Sequence, residues 1–366
     1  MRNWILAGSA LFALTAASEP VRVSKVAAPA RAPVLLPSHV GGRVVAGTAP
    51  GSYLRQWPGT YFETAVQGES VLFRVGSGDV RLHVTVDGTM VDTLVKPAAG
   101  FYRIGGMGSG KHRLRIEVAS ESQAGPTEFG GFFSDGAARA VRLDSAARQI
   151  EFIGDSHTVG YANTSTKTDC TQEEVWQTTD SSLGFGPTLA RAEHAEYRIH
   201  AISGRGVVRN YNGFAAAKMP EAYAHALFDR DDAAVAQPWA PQVIVIALGT
   251  NDFTTALHEG EPWKDRAALH ASYEDRYVAF VQDLRARHPG AFFVLWATDM
   301  AEGEIKAEVA RVAARLNAQG ERRLAYLPID GLALSACHGH PSLADDREIA
   351  RRIGEVIDAQ PDVWKK

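Results

Sequence analysis

The sequence predicts two domains, an all-β jelly-roll sandwich followed by a three-layer α/β domain on a five-stranded parallel sheet. Three observations carry this expectation. Between residues 40 and 141, short runs such as VLFRV (71–75), VRLHVTV (80–86) and HRLRIEV (112–118) are separated by Gly and Asp-Gly turns, and the second and third alternate apolar with polar residues. From residue 146 onward, short apolar runs alternate with longer helical stretches, the pattern of parallel strands joined by crossover helices. The run QVIVIAL (242–248) is apolar almost throughout, as suits a strand buried on both faces.

In chain order, residues 1–17 read as a secretory signal peptide: Arg2, an apolar stretch from Trp4 to Ala13, then the small residues Thr15, Ala16 and Ala17. The apolar part is too short to span a membrane, so the expected mature protein is secreted or periplasmic, with no membrane attachment after cleavage. Residues 18–38, rich in Ala, Pro and Val, read as an extended linker. Residues 39–145 are expected to form the sandwich, with about eight strands. Its aromatic cluster of Tyr53, Trp57, Tyr61 and Phe62 is either core or a sugar-binding face. Residues 146–366 are expected to form the α/β domain, with strands at 150–153, 197–202, 242–248, 291–296 and 324–327. Its helices are expected near 186–194, 215–228, 267–287, 304–317 and after Pro341.

A composition of 45% hydrophobic and 22% charged residues, with a net charge of -4, describes an ordinary soluble protein. Its basic residues are scattered, which excludes the footprint of a nucleic-acid binder, and no fixed-period repeat is present. A monomer is expected. No clustered metal ligands stand out, and no cofactor is expected. Export implies an oxidising compartment, so the two cysteines, Cys170 and Cys337, are expected to pair.

The chemistry centres on residues 149–160, QIEFIGDSHTVG, where an apolar run breaks sharply and leaves Ser156 at a strand's carboxyl end. Ligands bind at that edge of an open parallel sheet, although a Ser there also suits a helix N-cap. The second strand ends in ISGRG (202–206), the third in GTND (249–252), and CHGHP (337–341) follows the fifth. Ser156, Gly204, Asn251 and His340 therefore fall at one edge of the sheet. Serine acyl transfer needs such a set: a hydroxyl, a neutral imidazole to take and return its proton, and donors for the oxyanion. The N–H groups of Ser156 and Gly204 and the amide of Asn251 would supply three donors.

In this order, GDS, ISG, GTND and HP resemble the SGNH (GDSL) hydrolase superfamily. The resemblance implies a flavodoxin-like sheet, Ser156 as nucleophile, Gly204 and Asn251 in the oxyanion hole, and His340 as base. With the preceding sandwich, IEFIGDSHTVGYAN and SGRGVVRNYNG resemble carbohydrate esterase family 2, whose members join a jelly roll to an SGNH domain and deacetylate plant polysaccharides such as xylan and mannan. That resemblance implies an acetyl-serine intermediate, with acetylated polysaccharide or oligosaccharide as the partner.

Many SGNH enzymes carry an Asp three residues before the catalytic His, where this chain has Cys337. A Ser-His dyad with a backbone carbonyl orienting the imidazole is expected, as in esterases that this chain resembles, with Asp330, Asp345 and Asp346 as the alternative orienters that would complete a triad. His338 rivals His340, which is favoured because it directly precedes Pro341. A Cys170–Cys337 bridge would hold this His loop. Arg205, Arg209, Asn210 and Tyr211 are candidates for the pocket mouth, Phe253 and Trp296 for a sugar-stacking face, and His338 for the pocket lining. Asp155 and Asp252 are expected to hold turns, and His157 to pack. Two rivals accompany the acetyl-esterase reading: an esterase or lipase for other acyl esters or for bacterial envelope O-acetyl groups, and a carbohydrate-binding protein whose hydrolase domain is inactive.

Overall fold

The computed structural model describes residues 20–144, 146–228, 230 and 232–365. The expected signal peptide, residues 1–17, lies outside the described residues. The chain first builds two antiparallel sheets packed face to face. One runs in the order Arg22–Val26, Gly100–Gly105, Val71–Val75, Thr127–Ser134, Tyr53–Arg55, Val45–Ala46, with Val34–Leu35 also paired to Thr127–Ser134. The other runs Ala138–Ala140, Tyr61–Gly68, Lys111–Val118, Arg81–Val86, Thr89–Val95, with His39–Gly41 against Tyr61–Gly68. Alternate residues point inward, as the period of two requires, so Phe62, Val84, Leu114 and Ile116 from one sheet meet Phe73, Phe129 and Phe132 from the other. Phe62 and Phe129 stack across the core with ring centroids 4.1 Å apart.

Two expectations are corrected here. The described part of the expected 18–38 linker, residues 20–38, is not simply a linker, because Arg22–Val26 pairs along Gly100–Gly105 and Val34–Leu35 pairs with Phe133 and Ser134. Backbone pairing on one side suffices for such strands, so they need little apolar patterning to form. The sandwich has thirteen described strands rather than about eight, since several span only two or three residues, too few to show alternation.

The aromatic cluster is also core and junction rather than a sugar-binding face. Trp57, Tyr61 and Phe62 are almost wholly buried, and Tyr53 stacks on Phe62 at 5.9 Å. Trp57 stands edge-on to His200 and Phe228 of the second domain, 5.0 Å from each. Tyr61 lies 5.1 Å from Tyr197, with the Arg115 guanidinium 3.5 Å above the Tyr61 ring. Arg115 donates to Tyr197 Oη at 3.0 Å, and His83 Nε2 lies 2.7 Å from Asp180. The domains therefore meet through a packed, hydrogen-bonded surface.

The second domain carries five parallel strands, β1 (Arg148–Gly154), β2 (Ala195–Ala201), β3 (Val243–Ala247), β4 (Phe292–Thr298) and β5 (Leu324–Ile329). Their spatial order, β2-β1-β3-β4-β5, is the flavodoxin-like arrangement. The helices are α1 (Ser156–Val159), α2 (Gln172–Thr178), α3 (Phe185–Ala192), α4 (Met219–Ala222), α5 (Thr250–Phe253), α6 (Arg266–Arg287), α7 (Glu304–Ala318) and α8 (Leu343–Asp358). Leu189, Ile349 and Ile353 of α3 and α8 cover one face of the sheet, and Tyr277, Val281 and Val312 of α6 and α7 cover the other.

The helix expected over 215–228 is a single turn, Met219–Ala222. Asn210 Nδ2 donates to the carbonyls of Phe214 and Ala216, which holds the preceding residues in a loop. Strand order reverses around β1, because the chain passes first to β2 on one side and then to β3 on the other. The crevice outside that reversal point is where such sheets bind ligands.

Candidate active site

At the end of β1 the chain turns directly from strand into helix. Gly154 permits this, since a Cβ there would fall 2.0 Å from Thr158 Oγ1 and 2.9 Å from the Ala247 carbonyl. Asp155 caps α1, its Oδ1 accepting the His157 N–H at 3.1 Å. Ser156 is the first helical residue, so its N–H has no intrahelical acceptor and its hydroxyl is not used for capping.

Opposite Ser156 stands His340, half-buried, with Nε2 2.9 Å from Ser156 Oγ and Nδ1 3.0 Å from the Cys337 carbonyl oxygen. An Nδ1–H donated to that carbonyl leaves the Nε2 lone pair facing the serine hydroxyl. Burial pushes His340 down to about 4, against the opposing pull of the Cys337 hydrogen bond, so the imidazole is neutral near pH 7. Tyr161 stacks on the imidazole with centroids 4.2 Å apart, and His157 meets it edge-on at 5.5 Å.

Covalent and hydrogen bonds fix the loop that carries His340. Cys337 is disulfide-bonded to Cys170, with the two Cα atoms 5.6 Å apart, as the sequence led us to expect. His338 is exposed in a left-handed turn at φ 57. Its N–H donates to Thr168 O at 2.7 Å, and its ring bridges Cys170 O at 2.9 Å and Tyr161 Oη at 3.0 Å.

The carboxylates considered as orienters of His340 are elsewhere. Asp330 is exposed and paired with Lys306. Asp345 accepts the N–H groups of Ala333 at 2.8 Å, Leu334 at 3.1 Å and Ser342 at 2.8 Å. Asp346 accepts Phe185 N–H at 3.0 Å and Asn163 Nδ2 at 2.9 Å. Asp345 and Asp346 hold backbone at turns and helix starts, Asp330 holds a surface ion pair, and the contact on Nδ1 of His340 is a main-chain carbonyl.

Gly204 follows β2 at φ 83, and a Cβ there would lie 3.1 Å from the Phe214 ring, so this turn favours glycine. Asn251 sits on α5 with its Nδ2 donating to Asp155 Oδ2 at 3.0 Å and to Arg205 O at 2.9 Å. Both amide protons are thus engaged, and an oxyanion recruits this amide only by sharing or displacing one acceptor. The Asp155 carboxyl is pushed up to about 7, first by burial and then by the nearby Asp252. Asp252 accepts the N–H groups of Val207, Val208 and Arg209 at 2.9–3.0 Å, so both aspartates hold turns, as expected.

Several binding candidates are corrected. Arg209 is buried, pairs with Glu261 at 2.6 Å and donates to Ala256 O at 2.7 Å, which ties loops together beneath the surface. Phe253 is buried against Tyr273 at 4.7 Å, and Trp296 against Phe185 at 5.4 Å, so neither offers a face to sugar. Arg205 is buried and donates to the Ala217 carbonyl, while Asn210 shapes the loop described above. Tyr211 remains exposed at the surface, and His157 packs parallel to Trp296.

The carbonyl that orients His340, expected for a dyad, is that of Cys337, and Tyr161, which stacks on the imidazole, was not among the sequence candidates. A cleft of about 580 Å³ lies between the sandwich residues 121–127 and Lys96 on one side and α2 on the other, with Tyr161 in its wall. Tyr161 had a sequence cue, its place five residues after Ser156. Among the described residues, no group of three or more His, Cys, Asp or Glu side chains could hold a metal ion, and no helix is long and apolar enough to cross a membrane.

Comparison with known proteins agrees with this architecture. Residues 40–143 match the carbohydrate esterase 2 N-terminal family, and residues 152–348 match the GDSL-like lipase/acylhydrolase family. An acetylxylan esterase/glucomannan deacetylase from Cellvibrio japonicus (strain Ueda107) is 41% identical over 333 residues, covering 90% of this chain and 92% of that protein. The solved structure of a carbohydrate esterase with divergent catalytic and non-catalytic binding functions is 40% identical and superposes with a TM-score of 0.85, over 90% of this chain and 99% of that one. A carbohydrate esterase family 2 enzyme from Corynascus thermopiles (Myceliophthora fergusii) is 26% identical at a TM-score of 0.71, over 88% of this chain and 99% of that one.

Proposed function

The chain belongs to the GDSL-like lipase/acylhydrolase family and carries a carbohydrate esterase 2 N-terminal domain, and from that premise we propose that it is a serine O-acetyl esterase acting on plant polysaccharide such as acetylxylan or acetylated glucomannan. The observation that carries this reading is the 2.9 Å approach of His340 Nε2 to Ser156 Oγ, with Nδ1 held by the Cys337 carbonyl. His340 takes the hydroxyl proton as Oγ attacks the acetyl carbonyl carbon. The oxyanion is received by the N–H groups of Ser156 and Gly204, with the Asn251 amide beside them. The tetrahedral intermediate expels the sugar hydroxyl, which receives the proton from His340 and leaves acetyl-serine. Water, deprotonated by the same imidazole, then releases acetate and restores the serine.

The substrate class is drawn from the relative's activity. The 580 Å³ cleft adjoins the site through Tyr161, which lines it and stacks on His340. Its walls include Gln172, Glu173 and the half-buried Trp176, which lies under the Lys96 ammonium at 4.5 Å. Each chain carries the whole site, so a monomer suffices. The disulfide accords with function outside the cytoplasm.

The test is acetate release from acetylated xylan, acetylated glucomannan and p-nitrophenyl acetate by the native protein and by Ser156→Ala. The native protein is expected to release acetate from at least one polymer, and the variant to lose at least about 10⁴-fold in kcat. Equal rates for the two proteins would reject the serine mechanism. Faster hydrolysis of butyryl or longer p-nitrophenyl esters than of acetyl would favour another acyl substrate.

A further inference from the structure

The turn that presents the Gly204 N–H is gripped by side chains of the other domain. Glu121 Oε1 accepts the Ser203 N–H at 2.8 Å. Gln123 Nε2 donates to the Ser203 carbonyl at 3.3 Å and to Glu121 Oε1 at 3.1 Å. These two residues precede Ser203 by 82 and 80 positions and sit on the sandwich loop beside the cleft.

The geometry of a peptide bond makes this grip consequential. The Ser203 carbonyl and the Gly204 N–H belong to one planar trans unit and point in opposite directions, so a donor fixed on the carbonyl sets the aim of the N–H. Donation to that carbonyl also polarises the unit and strengthens its N–H as a donor. Glu121 fixes the adjoining peptide through the Ser203 N–H. Gly204 sits at φ 83 in a four-residue turn that the Arg205 N–H closes on the Ile202 carbonyl at 3.2 Å, and Gln123 adds a side-chain donor on the carbonyl of the peptide at the centre of that turn. Within the α/β domain, the Gly204 carbonyl is held by Tyr211 N–H at 2.9 Å, which restrains the following peptide rather than this one.

We propose that Glu121 and Gln123 are positioning residues for acyl transfer, through which the sandwich domain fixes the peptide plane whose Gly204 N–H receives the oxyanion. This inference rests on the esterase reading above. Neither residue touches the reacting atoms; both act through Ser203.

The experiment compares Glu121→Ala, Glu121→Gln, Gln123→Ala and Ser156→Ala in the full chain with p-nitrophenyl acetate. Glu121→Ala and Gln123→Ala are expected to lower kcat by about 10- to 100-fold, less than the 10²–10³ for losing a donor outright, with KM little changed. Glu121→Gln keeps an Oε1 acceptor for the Ser203 N–H and is expected to regain most of the rate. Inactivation by a phosphonylating p-nitrophenyl ester, whose phosphoryl oxygen needs the same donors, should slow in parallel. Gln123 is exposed, so its variant tests the idea even where Glu121→Ala folds poorly. Loss of activity in Ser156→Ala with native kcat in Glu121→Ala and Gln123→Ala overturns the clamp alone. Native activity in Ser156→Ala overturns the serine mechanism and the clamp with it.

Discussion

The carbonyl oxygen of Cys337 lies 3.0 Å from His340 Nδ1, so the residue that closes the disulfide also aims the imidazole at Ser156. A main-chain atom here fills the place a triad carboxylate would occupy. Its position depends on how firmly the loop is anchored.

Cys170→Ser/Cys337→Ser should therefore lose both stability and rate. The bridge closes a loop of 167 residues, and its removal is expected to cost about 2–4 kcal/mol, read by denaturant unfolding. A lower kcat under conditions where the variant stays folded would show that the bridge also aims the imidazole. An unchanged kcat would assign that task to the surrounding hydrogen bonds, such as His338 N–H to Thr168 O.

Asp330→Ala should leave kcat at the native value. Asp330 is exposed and its partner is Lys306, so stability should change by less than about 1 kcal/mol. A large fall in kcat would restore it as a member of a triad.

The pH–rate profile should carry a low acidic limb. The active form needs His340 neutral, and burial lowers its pKa from 6.5 to about 4. Activity is therefore present above that value and is lost as pH falls through it. A limb in kcat/KM for p-nitrophenyl acetate near 6.5 would show that the free enzyme does not desolvate this histidine.

The buried His157 makes folding stability sensitive to acid. Its folded pKa is lowered to about 3 by burial, against 6.5 for the ordinary group. Between these values the unfolded chain binds a proton that the folded chain does not, so this contribution is full above 6.5 and falls as pH drops through the window. The slope is at most about 1.4 kcal/mol per pH unit. Burial raises Asp346 to about 7, and this carboxyl acts in the opposite sense, adding stability as pH falls from 7 towards 4. Chemical denaturation at several pH values should show a shallower acid loss in His157→Phe than in the native protein.

Trp57→Ala should loosen the domain junction. Trp57 is fully buried with its ring against His200 and Phe228, and truncation of such a residue costs about 3–5 kcal/mol. Denaturant unfolding of the variant checks this, and a cost below about 1 kcal/mol would mean the junction repacks around the gap.

By itself the sequence determined the two-domain architecture. Alternation between residues 71 and 118 specified an antiparallel sandwich, and the apolar run at 242–248 specified a buried parallel strand. Periodicity reports burial, and burial is what separates these architectures. The short motifs around Ser156, Gly204, Asn251 and His340 were legible because each is tied to a strand end, which chain order alone locates. What only the tertiary structure decided was every relationship between distant segments. Arg209, Phe253 and Trp296 had the chemistry of a binding surface, yet they pack inside, because composition does not say which side of a loop faces solvent. The orienting group on His340 is a carbonyl, which every residue possesses and no sequence pattern marks. Glu121 and Gln123 reach Ser203 only because Trp57 and Tyr61 dock the sandwich against β2 and its neighbours, a packing contact formed across more than a hundred residues of chain.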